Sequence, residues 1–323
     1  MTWLITGGAG YIGAHIVTAG LDHLDSVSVL DDLSTGFENR LSSSVKKFQV
    51  SLQDLDGLKR SFESSNVSHV IHLAAKKRVG ESIEKPDYYW RENVVGFENL
   101  LSVMAEFEVK NLLFSSSAAV YGQPHLATGS LISEVEPCEP INPYGETKLE
   151  GERLAQQYAM NHNASVIALR YFNVAGAGRK DLGDRYTSNL IPIVFEAIDR
   201  GESPIVFGSN YETPDGTCIR DYVHVQDLAD AHIAALELID RSGPRFDVVN
   251  IGTGVGASVI EVIETISEVT GKVIQPKFVD RRQGDPAHLV ADVGKAKEVL
   301  DWESRFDLRD IITSAWESWR FNP

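Results

Sequence analysis

The sequence predicts an α/β protein: a doubly wound parallel sheet followed by a smaller C-terminal lobe. Three observations predict it. Strand and helix patterns alternate over the first half of the chain, a glycine-rich turn joins the first strand to the first helix, and Asp31 closes the second strand. Regular alternation of this kind folds into a parallel sheet with right-handed crossovers, and its strand ends then line one crevice.

Residues 2–6 read as a buried strand. Gly7-Gly8-Ala9-Gly10-Tyr11-Ile12-Gly13 turns from it into a helix reaching about Leu24. Glycines at 7, 10 and 13 let backbone N–H groups approach a pyrophosphate, whose charge the helix N-terminus favours. Ser26–Leu30 is the second strand, and the Asp31 carboxylate beyond it suits both hydroxyls of an adenosine ribose while repelling a 2'-phosphate. Its neighbour Asp32 is no arginine, so the expected cofactor is NAD and the sheet is of the Rossmann type. Lys47–Val50 is the next strand, Asp54–Ser64 a helix, Ser68–Ala74 a buried strand, Asp87–Phe107 a long helix and Asn111–Ser116 a strand. Asn142 is a good N-cap and Pro143 suits the first helical position, so a helix starts there and runs through Tyr158. Ser165–Tyr171 is the sixth strand.

From residue 174 the pattern loosens. Thr187–Arg200 reads as a helix, 205–225 as turn-rich, Val225–Ile239 as a helix and Val248–Ile251 as a strand. Helices at Ser258–Thr270 and Asp292–Leu300 follow. The expected division is a dinucleotide-binding domain over 1–173, joined by a return segment near 224–251, and a lobe drawn mainly from 174–323.

The 323 residues are 43% hydrophobic and 24% charged, an ordinary globular balance. Acidic residues outnumber basic ones 46 to 30, for a net charge of −16. That argues against a nucleic-acid or anionic-membrane surface, so any phosphate must be met by local donors. Cys138 and Cys218 have no metal-type spacing and suit a reducing cytoplasm. No apolar run is long enough to span a membrane.

Tyr144 and Lys148 stand four residues apart at the start of the helix after Asn142, which puts a phenol and an ammonium on one face. The ammonium and the helix dipole both favour phenolate. Lowering a tyrosine pKa by ~3 units takes roughly 4 kcal/mol, and the result is a base near neutral pH. Ser117, at the end of the fifth strand, reaches the same crevice. His224, Asp227, Asp230 and His232 lack a recognised ligand spacing, so no metal is expected, and Asp227 reads as a helix cap. Trp316 and Trp319 read as packing residues.

These motifs resemble the extended short-chain dehydrogenase/reductase family and, within it, the 4-epimerases of UDP-glucose and UDP-galactose. The carriers are Thr6–Gly13, Asp31–Gly36, Val79–Ser82, Asn142–Lys148, Arg170–Asn173 and Thr213–Val225. The resemblance implies NAD held along Gly7, Gly10, Tyr11, Ile12, Gly13, Asp31, Asp32, Leu33, Ser34, Thr35, Gly36, Leu73, Ala74, Ala75, Lys77, Asn93, Ser117, Tyr144, Lys148 and Phe172. It implies a UDP-sugar held by Ser117, Tyr144, Asn173, Asn189, Arg220, Arg282 and Asp285. The two arginines fit that role chemically, because a pyrophosphate needs cationic forks. The implied reaction is a reversible oxidation: Tyr144 takes the proton of the sugar 4-hydroxyl, Ser117 holds that oxygen, Lys148 keeps Tyr144 ionised, and hydride leaves C4 for NAD and returns to the other face. A homodimer through the helices beginning at Tyr88, Tyr89 and Trp90 and after Tyr144 is likewise implied.

Three departures bear on the transfer. Ser51 replaces an aspartate that relatives often carry near the adenine, residues 177–189 form a shorter loop, and Leu289 takes a position that sets sugar size. Rival readings are a 4-epimerase of a UDP-N-acetylhexosamine or a UDP-pentose, a 4,6-dehydratase and a non-catalytic NAD-binding regulator. The dehydratases carry an Asp-Glu pair where this chain has Ser117, Ala118, Ala119 and Val120.

Overall fold

The computed structural model describes residues 2–321 apart from 25, 125, 128, 283 and 284. Strands β1 (Thr2–Thr6), β2 (Ser26–Leu30), β3 (Lys46–Phe48), β4 (His69–His72), β5 (Asn111–Ser117) and β6 (Ser165–Tyr171) form most of one sheet. The helices between them are α1 (Tyr11–His23), α2 (Leu55–Ser65), α3 (Val79–Glu84), α4 (Pro86–Trp90), α5 (Gly96–Glu106) and α6 (Pro143–His162). The second half adds β7 (Asn173–Ala175), α7 (Leu190–Arg200), β8 (Ile205–Phe207), β9 (Ile219–His224), α8 (Val225–Arg241) and β10 (Arg245–Ile251). It closes with β11 (Gly256–Ser258), α9 (Val259–Thr270), β12 (Lys277–Val279), β13 (His288–Leu289), α10 (Gly294–Leu300) and α11 (Leu308–Arg320).

The main sheet has seven strands in the order β10-β6-β5-β4-β1-β2-β3, and every pairing in it is parallel. The order reverses between β1 and β4, so the chain leaves the sheet in opposite directions there and opens a crevice. Side chains alternate between the faces, as the pleat requires. Trp3, Ile5, Val27, Val29, Leu113, Ile167 and Leu169 pack with α1 through Ile16 and Val17, with α8 and with α10, whereas Leu4, Leu30, Leu112, Phe114 and Val166 pack against α2, α5 and α6. Burial on both faces explains why these strands read as near-continuous apolar runs. Each fully buried Leu, Ile or Val contributes on the order of 1.5–3 kcal/mol.

Three elements differ from expectation. The long helix over 87–107 is divided: α4 passes through a π-helical turn at Arg91–Val95 into α5. The turn-rich stretch contains β9, which pairs with β7, β11 and β13 in a second sheet beneath the C-terminal lobe. The chain also ends in α11, which carries its own capping box, Asp307 with Asp310. Its Trp316 and Trp319 pack on Phe195 at ring distances of 5.1 and 5.8 Å.

The acidic and imidazole groups near 224–232 are occupied within the fold. His224, rather than Asp227, caps α8, its Nδ1 accepting from Gln226 N at 3.0 Å. Asp227 is fully buried and accepts the backbone N–H groups of Arg305 and Phe306 at 3.0 and 3.1 Å. His232 Nδ1 bonds the Leu228 carbonyl, which only accepts, so Nε2 carries no hydrogen and takes the Tyr171 hydroxyl at 2.5 Å. By the same logic His15 donates from Nδ1 to the Tyr11 carbonyl and accepts from Gly178 N at Nε2. Burial holds His15, His224 and His232 neutral, each with its pKa lowered to about 4, and lowers His72 to about 3 with help from the Lys148 charge.

This makes the fold acid-labile. An imidazole that is basic at about 6.5 when unfolded but held near 4 when folded contributes stability that is complete above the first value and lost as pH falls toward the second. Between pH 7 and pH 5 each such histidine should remove about 2 kcal/mol of unfolding free energy. Urea midpoints at the two pH values measure it; the wild type should fall steeply and His232→Gln less so, and a pH-independent midpoint would refute the linkage.

Candidate active site

At the carboxyl ends of β1, β2, β4, β5 and β6 lies a cavity of about 1270 Å³, continued to the C-terminal lobe by β7, α7, β9 and the segment before β13. Its floor is the turn from β1 to α1. A Cβ on Gly13 would meet the Gly7 carbonyl oxygen at 2.2 Å, so only glycine lets the turn close this tightly. Gly10 begins α1 with no side chain capping it, which leaves the first amides of the helix facing the cavity. Uncapped amides are anion-binding donors. Asp31 stands at the next strand end, with Oδ2 accepting from Ala9 N and Oδ1 from Leu33 N, both at 2.9 Å. Its carboxylate therefore braces the glycine turn as well as facing the cavity. Burial raises its pKa, and these two bonds oppose that. A glycine cradle, open helix amides and a carboxylate in this order are the donor and acceptor set that a dinucleotide requires.

The opposite wall is α6. Asn142 accepts from Gly145 N at 2.9 Å and Pro143 occupies the first turn, so the helix starts where the sequence indicates and runs on to His162. Tyr144 and Lys148 share its inward face. Lys148 is buried and donates Nζ to the Ser115 carbonyl at 2.7 Å; burial lowers its pKa to about 8, with the Glu152 charge opposing. Ser117 accepts from Ala119 N at 3.2 Å, capping the short 3₁₀ turn of Ala118–Tyr121. Its hydroxyl proton remains available to the Tyr144 oxygen.

The electrostatic state of Tyr144 differs from expectation. Its pKa is raised rather than lowered, because burial outweighs the hydrogen bond from Ser117. The helix dipole supplies only ~0.3–1 kcal/mol, and the Lys148 ammonium is turned to the Ser115 carbonyl. The protein alone thus favours the protonated phenol.

All the candidate residues line this cavity except Leu33, Gly36 and Asn93. Leu33 packs toward the core face of α1, and Gly36 lies behind the rim, where a Cβ would meet Ala9 Cβ at 2.8 Å. Asn93 is buried, and its amide is spent on Lys76 N, Lys76 O and Thr147 Oγ1 at 2.7–3.0 Å. It positions the loop after β4 instead of reaching the cavity. At the far end Arg220 donates to the Ile219 and Pro286 carbonyls and to Asp285 Oδ1 at 2.9, 2.8 and 3.3 Å, tying β9 to the segment before β13. Arg282 lies over the Phe207 ring at 3.8 Å. Asn189 starts α7 and donates to Asp184 at 2.8 Å. Leu289 pairs with Arg220 across the strands.

Sequence reasoning places Lys76 in the cofactor span Leu73–Lys77 but misses Arg78 and Tyr186. Lys76 Nζ donates to Ser34 Oγ at 2.6 Å. Tyr186, on the loop before α7, donates to the Thr35 carbonyl at 2.7 Å while Arg78 lies over its ring. These contacts join segments far apart in the chain, and no local pattern announces them.

Comparison with known proteins places this geometry. The profile of the NAD dependent epimerase/dehydratase family matches residues 3–252. A UDP-glucose 4-epimerase of Halalkalibacterium halodurans is 42% identical over all of this chain and 97% of its own length. A crystal structure of a UDP-glucose 4-epimerase superposes with a TM-score of 0.94 at 42% identity, covering 98% of this chain and 97% of that one. The epimerase of Stenotrophomonas maltophila, solved with bound NAD and formylated UDP-arabinopyranose, gives 0.94 at 34% identity over 99% of this chain and 98% of its own. Both the matched span and the full-length identity establish that the chain belongs to the NAD dependent epimerase/dehydratase family.

Proposed function

We propose that this enzyme inverts C4 of a UDP-hexose, interconverting UDP-galactose and UDP-glucose, with NAD bound throughout. One observation carries the reading: Tyr144, Ser117 and Lys148 meet at the strand ends in the same cavity as the glycine cradle. Bound NAD supplies a two-electron acceptor for the C4 hydrogen, the reductant for its return, and positive charge. Gly7, Gly10, Gly13 and Asp31 would hold its adenosine and pyrophosphate, and Lys148 its nicotinamide ribose.

The remaining work falls to side chains of this chain. Ser117 donates to the sugar 4-oxygen and orients it toward Tyr144. Tyr144, once ionised, takes the hydroxyl proton as C4 becomes a carbonyl and gives it back after the sugar has turned. Asn173, Asn189, Arg220, Arg282 and Asp285 grip the uridine diphosphate, so the hexose can rotate without leaving. Elimination chemistry is disfavoured because the turn after β5 offers Ala118, Ala119 and Val120 where an acid–base pair is needed. Pentose substrates are a second reading, supported by the arabinopyranose relative, and N-acetylhexosamines a third, supported by the intermediate bulk of Leu289 on the cavity wall.

Two copies associate through α4, α5 and α6. Trp90 is 45% exposed there, and a groove between α5 and α6 is lined by Leu101, Ala105, Leu154 and Tyr158. The free thiols Cys138 and Cys218 support a reducing, cytoplasmic setting.

Purified protein given UDP-galactose without added NAD should form UDP-glucose; no conversion even with NAD supplied would refute the reading. Tyr144→Phe should lower kcat by roughly 10²–10⁴-fold while NAD stays bound, and undiminished turnover would remove Tyr144 as the base. Arg282→Ala should weaken UDP binding by about tenfold or more, measured calorimetrically on the holoenzyme; equal affinity would take Arg282 out of the site.

A further inference from the structure

Behind the site lies a buried charge pair for which the reaction has no direct use. Tyr144, Lys148 and Glu152 follow one another at four-residue intervals on the inward face of α6. Glu152 is 5% exposed, and so is Arg170 on β6. Arg170 grips it in a fork, Nε to Oε1 at 2.8 Å and Nη2 to Oε2 at 2.7 Å. Ser116 donates to the same Oε1 at 2.5 Å, and it pairs in register with Arg170 across β5 and β6. The remaining guanidinium nitrogen donates to Tyr121 OH at 2.9 Å, which in turn donates to Asn250 Oδ1 at 2.7 Å.

We infer that Glu152, balanced by Arg170, is a positioning residue that fixes the Ser115–Ser117 strand end and sets the charge at Lys148. Three consecutive serines carry the geometry. Ser115 presents its carbonyl to Lys148, Ser116 is pinned to Glu152, and Ser117 faces Tyr144. Moving the carboxylate therefore moves the carbonyl that holds the ammonium and the hydroxyl beside the phenol together.

Its second effect is electrostatic. The groups around Lys148 are Tyr144 and Glu152 on its own helix, His72 on β4 and the Phe114 ring on β5; on β6, Arg170 stands behind Glu152 and Tyr171 acts on Tyr144. His72 is neutral, and burial pushes both tyrosines upward, so the permanent charges are Glu152 and Arg170. Glu152 is the nearer along the helix and opposes the burial that pulls Lys148 down. Losing Glu152 removes the charge that opposes burial, whereas losing Arg170 leaves that carboxylate uncompensated, so the two losses shift Lys148 in opposite directions.

The inference rests on the epimerase reading, and its test separates the two. The lysine side chains are titrated by isotope-edited NMR on the NAD-loaded protein, with Lys148 assigned by its loss in Lys148→Arg. Glu152→Gln should lower the Lys148 midpoint by about one pH unit and Arg170→Met should raise it. The basic limb of kcat/KM should move with each. Shifts of the same sign, or none, overturn the charge role whatever the activity; opposite shifts in a protein that does not epimerise would leave it standing and sink the reaction. Ser116→Ala, which removes one hydroxyl and leaves both charges, serves where a single charge variant does not fold. It should lower kcat roughly tenfold with KM and the Lys148 midpoint unmoved, and unchanged kcat overturns the positioning role.

Discussion

The parallel direction of all seven main-sheet strands is the constraint on which the rest depends. Every crossover must return to the same starting edge, so the residues that leave the strands at their carboxyl ends are collected along one rim. Gly7, Asp31, Leu73, Ser117 and Phe172 belong to five different strand ends and share a cavity for this reason alone. Hydrogen bonding across parallel strands fixes their heights to within a residue, as the pairing of Ser116 with Arg170 illustrates. No further device is needed to bring a cofactor cradle, a phenol and a hydroxyl within reach of one substrate.

Charge is distributed with the same economy. A chain of net charge −16 must handle anionic ligands, and it does so by lining the cavity with Lys76, Lys77, Arg78, Arg220 and Arg282. In the interior it avoids positive charge by burying histidines neutral, each committed to accepting at one nitrogen or held by a hydroxyl. Arg40, Arg170 and Lys148 are exceptions, and Lys148 is a buried amine near its titration range whose environment is correspondingly specific: a carbonyl, an aromatic face and a balanced ion pair. A buried amine so poised responds to changes that a surface lysine would ignore.

Much of this was legible in the residues. The strands of the main sheet were, because burial on both faces produces apolar runs, and α6 was, because Asn142 and Pro143 announce its start. Strand β9 was not: Ile-Arg-Asp-Tyr-Val-His has polar members whose partners, such as Thr253 and Gly254 for Asp221, lie far along the chain. Helix α11 was missed although Asp307 and Asp310 form its cap. The residue types of the site could be read, but the direction of the Tyr144 shift could not. Spacing shows that a phenol and an ammonium share a face; only packing shows that the ammonium is turned to a backbone carbonyl. Asn93 stands outside the cavity lining for a related reason, since its amide is consumed by the loop it supports.

The run Ser115-Ser116-Ser117 would pass in a sequence for an uninformative turn. In the fold its members differ in kind, one lending a carbonyl, one bound to a carboxylate and one facing the phenol. Chemically identical neighbours have become unlike through phase alone. Conservative replacement of a single member disturbs one contact, but inserting or deleting one residue in β5 reassigns all three at once. The coding stretch for this strand should therefore forgive missense far more readily than any change of length.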